Sequence, residues 1–597
     1  MAMTFDDILD KLLYQIQHKE EIDQLLTNEN LKDDLKYWKP IGDDYGNDSQ
    51  IQYQAPSPES ALGERVINSI DAVLMRKSYE NGIDPRDTKI APSSMTEAAE
   101  KFLNLPDGKL GKYQGEYSTL TEIYCTATGI QPQKVTLNLL DLGESQTPDN
   151  MKNTFLSLPI GKKSPYKQGI PFVQGRFNQG STGSYKHCPY TLILTKRPPS
   201  LLTSKARAMI DPPTASTGSD LSEIYSRKDQ WGWTLVRKIE RNNSNERTYY
   251  AYLVNSSGVV PSLNLNKLKL MPSKSIPGIP SNLKPKKRKE KLQELKNNAI
   301  NYAYQNEIDG GTLVKLYDFN WPKVQNADIW SEGIRELRAK LFYETILPVR
   351  FTELRQWGTR IKGSGDAAYL TGLLSSILRQ DKSKKIIREG WPKNEILNID
   401  FSEVNSEHKG RSGKIKIVKW IIDRTSDNWL AGFSVVYVLN GQVHAREHNH
   451  YLKKLKIYNL DKSLMIAVDA NELDTRIRDR IFRADRNYME ETSEATLLKE
   501  HVEKSIKEDE EIWKANDEKF AETASDIEVE KESSQKIIKK LAKEVPGLAE
   551  LLKGSEIPTY TGSVTLQKST NEKDLKKKFG KVSPTFFQPL KKFKMVK

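Results

Sequence analysis

An α/β (α+β) protein built from several domains is what the sequence predicts, and three observations carry that expectation. Its 597 residues exceed what one hydrophobic core serves and point to three or four domains. Segments with period-2 alternation of apolar residues interleave with segments of helical periodicity along the chain. Hydrophobic residues make up 37%, with 25 Tyr, 16 Phe and 10 Trp, which is enough for ordered cores, while 29% charged residues make polar linkers expected as well.

The elements follow in chain order. Residues 4–37 read as one or two helices, because Phe5, Ile8, Leu12 and Ile16 recur at helical spacing. Ser57-Pro58-Glu59 supplies an N-cap, a first-turn proline and a first-turn acid, opening a helix that runs to about Tyr79. Residues 134–140 (KVTLNLL) alternate and then run apolar into Asp141, as a half-buried strand does. Strands are expected at 190–194 and 312–317, and a hairpin at 232–239 and 248–254 turned by 242–245. Helices resume over 326–358. A β-rich block spans 413–470, where Asn440-Gly441 between FSVVYVL and VHA marks a tight hairpin, and a strand at 464–468 leads into a charged helical stretch over 471–520. Residues 503–532 are acid-rich and read as a solvated helix or linker, and 571–597 hold nine lysines against Glu572 and Asp574.

Composition removes several function classes. With only two cysteines, Cys125 and Cys188, a disulfide framework is excluded and a reducing compartment expected. No run approaches the roughly 18 to 20 apolar residues of a bilayer span. The opening MAMTFDDILDKLLYQIQ is amphipathic and acidic, unlike a secretion signal, so a cytoplasmic protein with no membrane partner is expected. The excess of 92 Lys+Arg over 79 Asp+Glu gives +13, which favours acidic partners, nucleic acid foremost.

Four segments carry chemistry. At about 100° per residue Glu64, Asn68 and Asp71 share one face of a helix whose neighbours Val66, Ile67, Ile70, Val73 and Leu74 are apolar. Polar groups there cost free energy unless satisfied, and an ion with a polyphosphate would satisfy them. One exposed polar edge is the plainer alternative. Next, Asp141-Leu142-Gly143 ends a strand with a carboxylate and a glycine that permits close approach. Then Gly175-Arg176-Phe177-Asn178-Gln179-Gly180-Ser181-Thr182-Gly183 is a glycine-punctuated loop whose N–H groups can wrap phosphates. Last, Gly310-Gly311-Thr312 sets a threonine at the mouth of a strand. Each is weak alone; their order is the signal.

In that order they resemble the GHKL ATPase superfamily of gyrase B, heat-shock chaperones, histidine kinases and MutL. Glu64 to Ala72 match E-x-x-x-N-x-x-D-A in full. Asp141 and Gly143 match D-x-G-x-G, with Ser145 at the second glycine; Gly175, Phe177 and Gly180 match the lid G-x-F-G-x-G, with Asn178 at its middle glycine; Gly311-Thr312 matches the closing pair. The resemblance covers about 1–330 and continues more weakly to 490. It implies a Bergerat-type ATP-binding sandwich, a mixed sheet covered by helices, over 1–330 with an insertion at about 195–305. A transducer-like α/β domain over 331–490 and a charged helical linker with a basic tail over 491–597 would follow.

The resemblance further implies a Mg-dependent ATPase that hydrolyses ATP to ADP and phosphate. Glu64 would orient and deprotonate water, Asn68 would ligate Mg2+, and Asp141 with Thr312 would take the adenine amino group. Gly143 would support the approach to the base, and Gly175, Phe177, Gly180, Ser181, Thr182 and Gly183 would enclose the phosphates. Asp71 would support the helix, and Gln442 or Lys419 would reach the γ-phosphate from the transducer. Two protomers would close through their N-terminal segments on Mg-ATP. In a MutL- or MORC-like version the dimer clamps DNA through basic runs such as Lys284-Pro285-Lys286-Lys287-Arg288-Lys289 and the tail; these runs read equally as solvated linkers. MIAVDANELDTRIRDRIFRADR and Ser583-Pro584-Thr585-Phe586-Phe587 resemble stand-alone bacterial members near antiviral defence genes, implying a partner subunit of a defence system. A chaperone-like ATPase acting on a protein client, and an ATP-binding scaffold with little turnover, stay open beside it.

Other nucleotide and metal motifs fit poorly. Gly161-Lys162-Lys163-Ser164 has no glycine five residues earlier, so a Walker loop is missing, and no upstream helix pair presents a kinase histidine. His444, His448 and His450 read as the polar flank of a hairpin.

Overall fold

Ten strands make the larger of two mixed sheets. In chain order they are β1 (Trp38–Pro40), β2 (Ile123–Thr128), β3 (Val135–Asp141), β4 (Tyr190–Lys196), β5 (Trp231–Ile239), β6 (Tyr249–Leu253) and β7 (Ser262–Leu263); then, past a separate ribbon of β8 (Leu268–Met271) and β9 (Asn306–Ile308), β10 (Gly311–Phe319), β11 (Val349–Glu353) and β12 (Ala368–Leu370). The spatial order is β1-β6-β5-β4-β10-β3-β2-β11-β12, with β7 on β5. All its pairs are antiparallel except β2 with β11. The computed structural model describes residues 3–129, 134–158, 170–174, 182–210, 221–240, 247–275, 282–355, 368–404, 406–408, 412–422, 432–461, 463–483 and 488–522. The chain divides into two compact units, Met1–Lys519 and Phe520–Lys597, and both sheets lie in the first.

Helices cover both faces of the large sheet. On one side, α1 (Phe5–Tyr14) and α2 (Lys19–Asn28) bury Ile8, Leu9, Leu12, Leu13, Ile22 and Leu26 in one core with Leu194, Trp233, Leu313 and Tyr317. Lys315 Nζ holds α1 there by donating to the carbonyls of Leu12, Leu13 and Ile16, each at 2.9 Å. Short α3 (Asn47–Tyr53) precedes α4 (Pro58–Glu80), which lies over the other face. Ser57 caps α4 by accepting the Ser60 N–H at 3.2 Å, and Pro58 opens it, as the sequence predicts. From α4, Val66, Ile70, Val73 and Leu74 pack with Cys125, Leu137, Leu139 and Val314. Each such side chain contributes about 1.5–3 kcal/mol relative to exposure.

Several expectations change. β3 is buried along its whole length rather than half-buried, because α4 covers one face and the N-terminal helices the other. Residues 326–358 are not all helical: after a π turn at Ile329–Gly333 and a helix at Ile334–Lys340, β11 pairs parallel with β2, with Val349 and Phe351 turned to the core and Arg350 and Thr352 between and beyond them. Residues 195–305 extend the large sheet with β5, β6 and β7. The turn at 242–245 and the tail at 571–597 lie outside the described residues.

The second sheet holds β13 (Lys393–Asp400), β14 (Ser412–Ile421), β15 (Phe433–Leu439), β16 (Gln442–His448) and β17 (Leu464–Glu472), ordered β13-β14-β17-β15-β16, with β15 parallel to β17. The β15–β16 turn is the expected hairpin: Asn440 and Gly441 take φ of 48° and 78°, the left-handed pair a two-residue turn requires. The charged stretch after it starts late, since β17 runs to Glu472; helices then occupy Thr475–Ile481, Ser493–Lys507 and 510–522. Its acid-rich part is not wholly solvated, for Ile506, Ile512 and Ala515 join the core with Ile417, Val435 and Ile466. No helix among the described residues is long and apolar enough to cross a membrane. The fold is α+β.

Candidate functional site

Along α4 the positions Glu64, Asn68 and Ala72, spaced four apart, are partly exposed, while both neighbours of each are buried. Asp71 is not on that rim. It is fully buried and accepts the backbone N–H of Gln174 at 2.8 Å, in keeping with a supporting role.

Below α4, the sheet brings Asp141 and Thr312 together as cross-strand neighbours on β3 and β10. Both are buried on the α4 side. Asp141 accepts from Ser69 Oγ at 3.0 Å and from the Gly143 N–H at 3.1 Å, so helix and strand end are joined through its carboxylate. Gly143 is required by space: a Cβ there would stand 2.5 Å from Ala72 Cβ and 2.7 Å from Asp141 Oδ1. The Glu144 N–H donates to Ala72 O at 2.9 Å and Arg76 Nη1 to Leu142 O at 3.0 Å, which ties the whole turn to α4.

A row of hydroxyls continues the floor. The Gln146 N–H donates to Thr195 Oγ1 at 3.0 Å, Thr195 and Thr312 hydroxyls meet at 3.0 Å, and Thr312 donates to Ser145 Oγ at 3.1 Å. Ser145, which stands at a glycine position of the motif, takes φ 51°, the left-handed conformation glycine would supply. A carboxylate beside linked hydroxyls offers acceptors to a polar ring edge.

The glycine-punctuated loop is seen at its two feet. Gly175, Phe177, Gly180 and Ser181 lie outside the described residues. Before them, Gln174 is held by Asp71. After them, the turn Thr182–His187 is fastened to the chain before α4: Thr182 Oγ1 donates to Gln54 Oε1, Lys186 Nζ to Gln52 O, and His187 Nε2 lies 3.0 Å from Ala55 O. Gly183 is packed against Gln54 and Ala55, where a Cβ would come within 2.7 Å of Ala55 Cβ. Ser184 Oγ accepts from Arg65 Nε at 3.0 Å. Both feet therefore stand on α4, at Arg65 and Asp71, about 9 Å apart along its axis.

The second sheet reaches the same place through its hairpin tip. Gln174 Nε2 donates to Asn440 O at 2.5 Å, and the Glu344 N–H donates to Gly441 O at 2.9 Å. Gln442 is buried beside the tip, with its Oε1 unpartnered. Lys419 is removed as a candidate for the γ-phosphate: its buried Nζ is spent on Glu395, Asp509 and the carbonyl of Ser505, at 2.8–3.0 Å. Burial pushes both thiols up, Cys188 to about 12, so neither is a nucleophile at neutral pH. Among the described residues no three or more His, Cys, Asp or Glu gather as a metal site; His444 lies buried against Phe482.

Ser69, Arg65, Gln174 and Thr195 were not picked out by sequence reasoning. Ser69 lies inside the first motif, one residue after Asn68; the other three acquire meaning only from distant partners. Compared with models of protein families the chain matches none, and no curated protein matches it.

Proposed function

We propose that this site binds ATP with Mg2+ and that the chain is a GHKL-type ATPase built on a Bergerat-type sandwich. One observation carries the reading: Asp141 and Thr312 sit side by side under the same helix that presents Glu64 and Asn68 at its rim. In this reading the Asp141 carboxylate accepts the adenine amino group, and Thr312 assists it. Glu64 orients and deprotonates the attacking water. The side-chain oxygen of Asn68 is a hard ligand that suits Mg2+, held in the usual way by few protein groups plus phosphate oxygens. The ion would bridge and neutralise those oxygens. Gly143, Thr182 and Gly183 shape the base and phosphate ends, with Gly175, Phe177, Gly180 and Ser181 assigned from sequence alone.

Closure of two protomers on nucleotide, with DNA as client, extends the same proposal. The exposed cations Lys286, Lys287, Arg288 and Lys289 crowd the first turns of the helix Pro285–Asn297, where the helix dipole disfavours them. Phosphate backbone would offset that cost. The N-terminal helices spend their apolar face on their own sheet, so a dimer contact through this region must use their outer side. A defence-system partner rests on the sequence resemblance, and a cytoplasmic location on the acidic, amphipathic opening segment.

Calorimetry tests the core of the reading. Mg-ATP should bind the wild type, and Asp141→Asn should weaken binding about tenfold or more, since a charge-accepted hydrogen bond is worth about 1.5–3 kcal/mol. Absence of adenine-nucleotide binding by the wild type would end it. Turnover stimulated by DNA and lost as salt rises would favour the clamp; stimulation by a protein client, insensitive to salt, would favour the chaperone-like alternative.

A further inference from the structure

We propose that Arg65 takes the terminal phosphate of the bound nucleotide through Nη2 and thereby makes the site prefer a triphosphate over a diphosphate. This rests on the reading of the pocket as an ATP site.

Arg65 follows Glu64 on α4 and is 3% exposed. Its Nε donates to Ser184 Oγ at 3.0 Å, and its guanidinium carbon lies 5.3 Å from the centre of the Tyr185 ring. Nη2 is buried and has no hydrogen-bond partner, and no carboxylate pairs with the side chain among the described residues. A guanidinium removed from water without a counterion is expensive. Elsewhere in the chain the buried guanidinium of Arg355 meets the Glu353 carboxylate through Nε at 3.1 Å and Nη2 at 2.8 Å, and that of Arg350 meets two carbonyls. Among the described residues Arg65 has the Ser184 hydroxyl and the neighbouring Tyr185 phenol but no carboxylate, and its Nη2 lacks a partner of good geometry.

Its place on the helix says which anion completes it. Ser69, one turn later, touches Asp141, which takes the base in this reading. Arg65 lies about 6 Å back along the axis, beside Glu64 and the site of attack on the γ-phosphate. It also holds Ser184 in the turn that follows the glycine-punctuated segment. The phosphate end of a nucleotide laid from Asp141 toward Glu64 thus arrives beside an unpaired guanidinium. A purely structural arginine would explain the Tyr185 and Ser184 contacts and leave Nη2 and the missing counterion unexplained.

The experiment is the ratio of ADP to ATP dissociation constants, with Mg2+, for full-length wild type, Arg65→Gln and Arg65→Lys. The wild type should prefer ATP. Arg65→Gln should weaken ATP roughly ten- to a hundredfold while changing ADP less than about threefold, and Arg65→Lys should restore part of the preference. Equal losses for both nucleotides, or no change in the ratio, would reduce Arg65 to a packing role and overturn the proposal. If Arg65→Gln does not fold, Arg65→Lys decides alone: an unchanged ratio overturns it, because lysine cannot reproduce the guanidinium geometry. A wild type that binds ATP and ADP alike also overturns it. A wild type that binds neither fails at the pocket itself, which separates that outcome from a failure of Arg65.

Discussion

Thr312 donates its hydroxyl to Ser145 at 3.1 Å, and Ser145 receives it from a left-handed backbone with φ 51°. A side chain thus stands where the related motif has glycine, accepting conformational strain and returning a hydrogen bond to the residue opposite Asp141. The strain costs about 1–2 kcal/mol and the bond returns about 1 kcal/mol.

Ser145→Gly is therefore expected to shift stability by less than about 1 kcal/mol, because strain and bond are lost together. Ser145→Ala keeps the strain and loses the bond, and should be less stable than the glycine variant by about 1–2 kcal/mol. Denaturant midpoints of the two variants check the order; an alanine variant as stable as the glycine one would contradict it.

Glu64→Ala should retain Mg-ATP binding within about threefold and lose hydrolysis by roughly a hundredfold or more, as expected when a general base is removed from an intact pocket. Phosphate release together with calorimetry measures both. Hydrolysis at the wild-type rate would take the base role from Glu64, and binding without turnover in the wild type would favour the scaffold reading.

His18 ties the start of α2 to the large sheet. Its Nδ1 lies 2.9 Å from Asp318 Oδ1, whose other oxygen accepts the Lys19 N–H. The Asp318 hydrogen bond, opposed by burial, raises the imidazole above its usual 6.5. A raised folded value means that the native state holds the proton more tightly. The contribution is full below about pH 6.5 and is lost as pH rises through the folded value. Unfolding midpoints between pH 6 and 8.5 should decline more steeply for the wild type than for His18→Gln.

Glu344 behaves in the same sense for a different reason. At the joint with the hairpin tip its Oε1 is sealed from solvent without a hydrogen-bond partner. Burial, opposed by Lys109 and reinforced by Asp469, lifts its carboxyl from 4.5 to about 7. Stability linked to the protonated form is full below about pH 4.5 and is lost as pH rises through about 7. Glu344→Gln should flatten the melting temperature between pH 5.5 and 8; a variant that keeps the wild-type slope would show that the joint does not titrate there.

How far the sequence carries can be seen residue by residue. Local signals survive folding: Ser57 and Pro58 start α4, and Asn440-Gly441 turns its hairpin, because each acts on its own backbone. Alternation marks the strands that carry Asp141 and Thr312, but their placing opposite each other comes from the β3–β10 register, which alternation does not fix. Asp71 shares a helix face with Glu64 and Asn68 by periodicity, but its burial under the Gln174 N–H depends on a partner 103 positions away. β11 read as helix because five residues carry too little period to outvote helical neighbours. Arg65 and Gln174 left no local mark; their partners lie 119 and 266 positions away.

The ammonium of Lys315 under the carbonyls at the end of α1 also fixes an order of events during translation. Its partner Leu12 precedes it by 303 positions. At about 5–20 residues per second a nascent chain waits roughly 15–60 s before that clasp can exist. α1 thus stays unclasped until β10, the central strand of the large sheet, has been made.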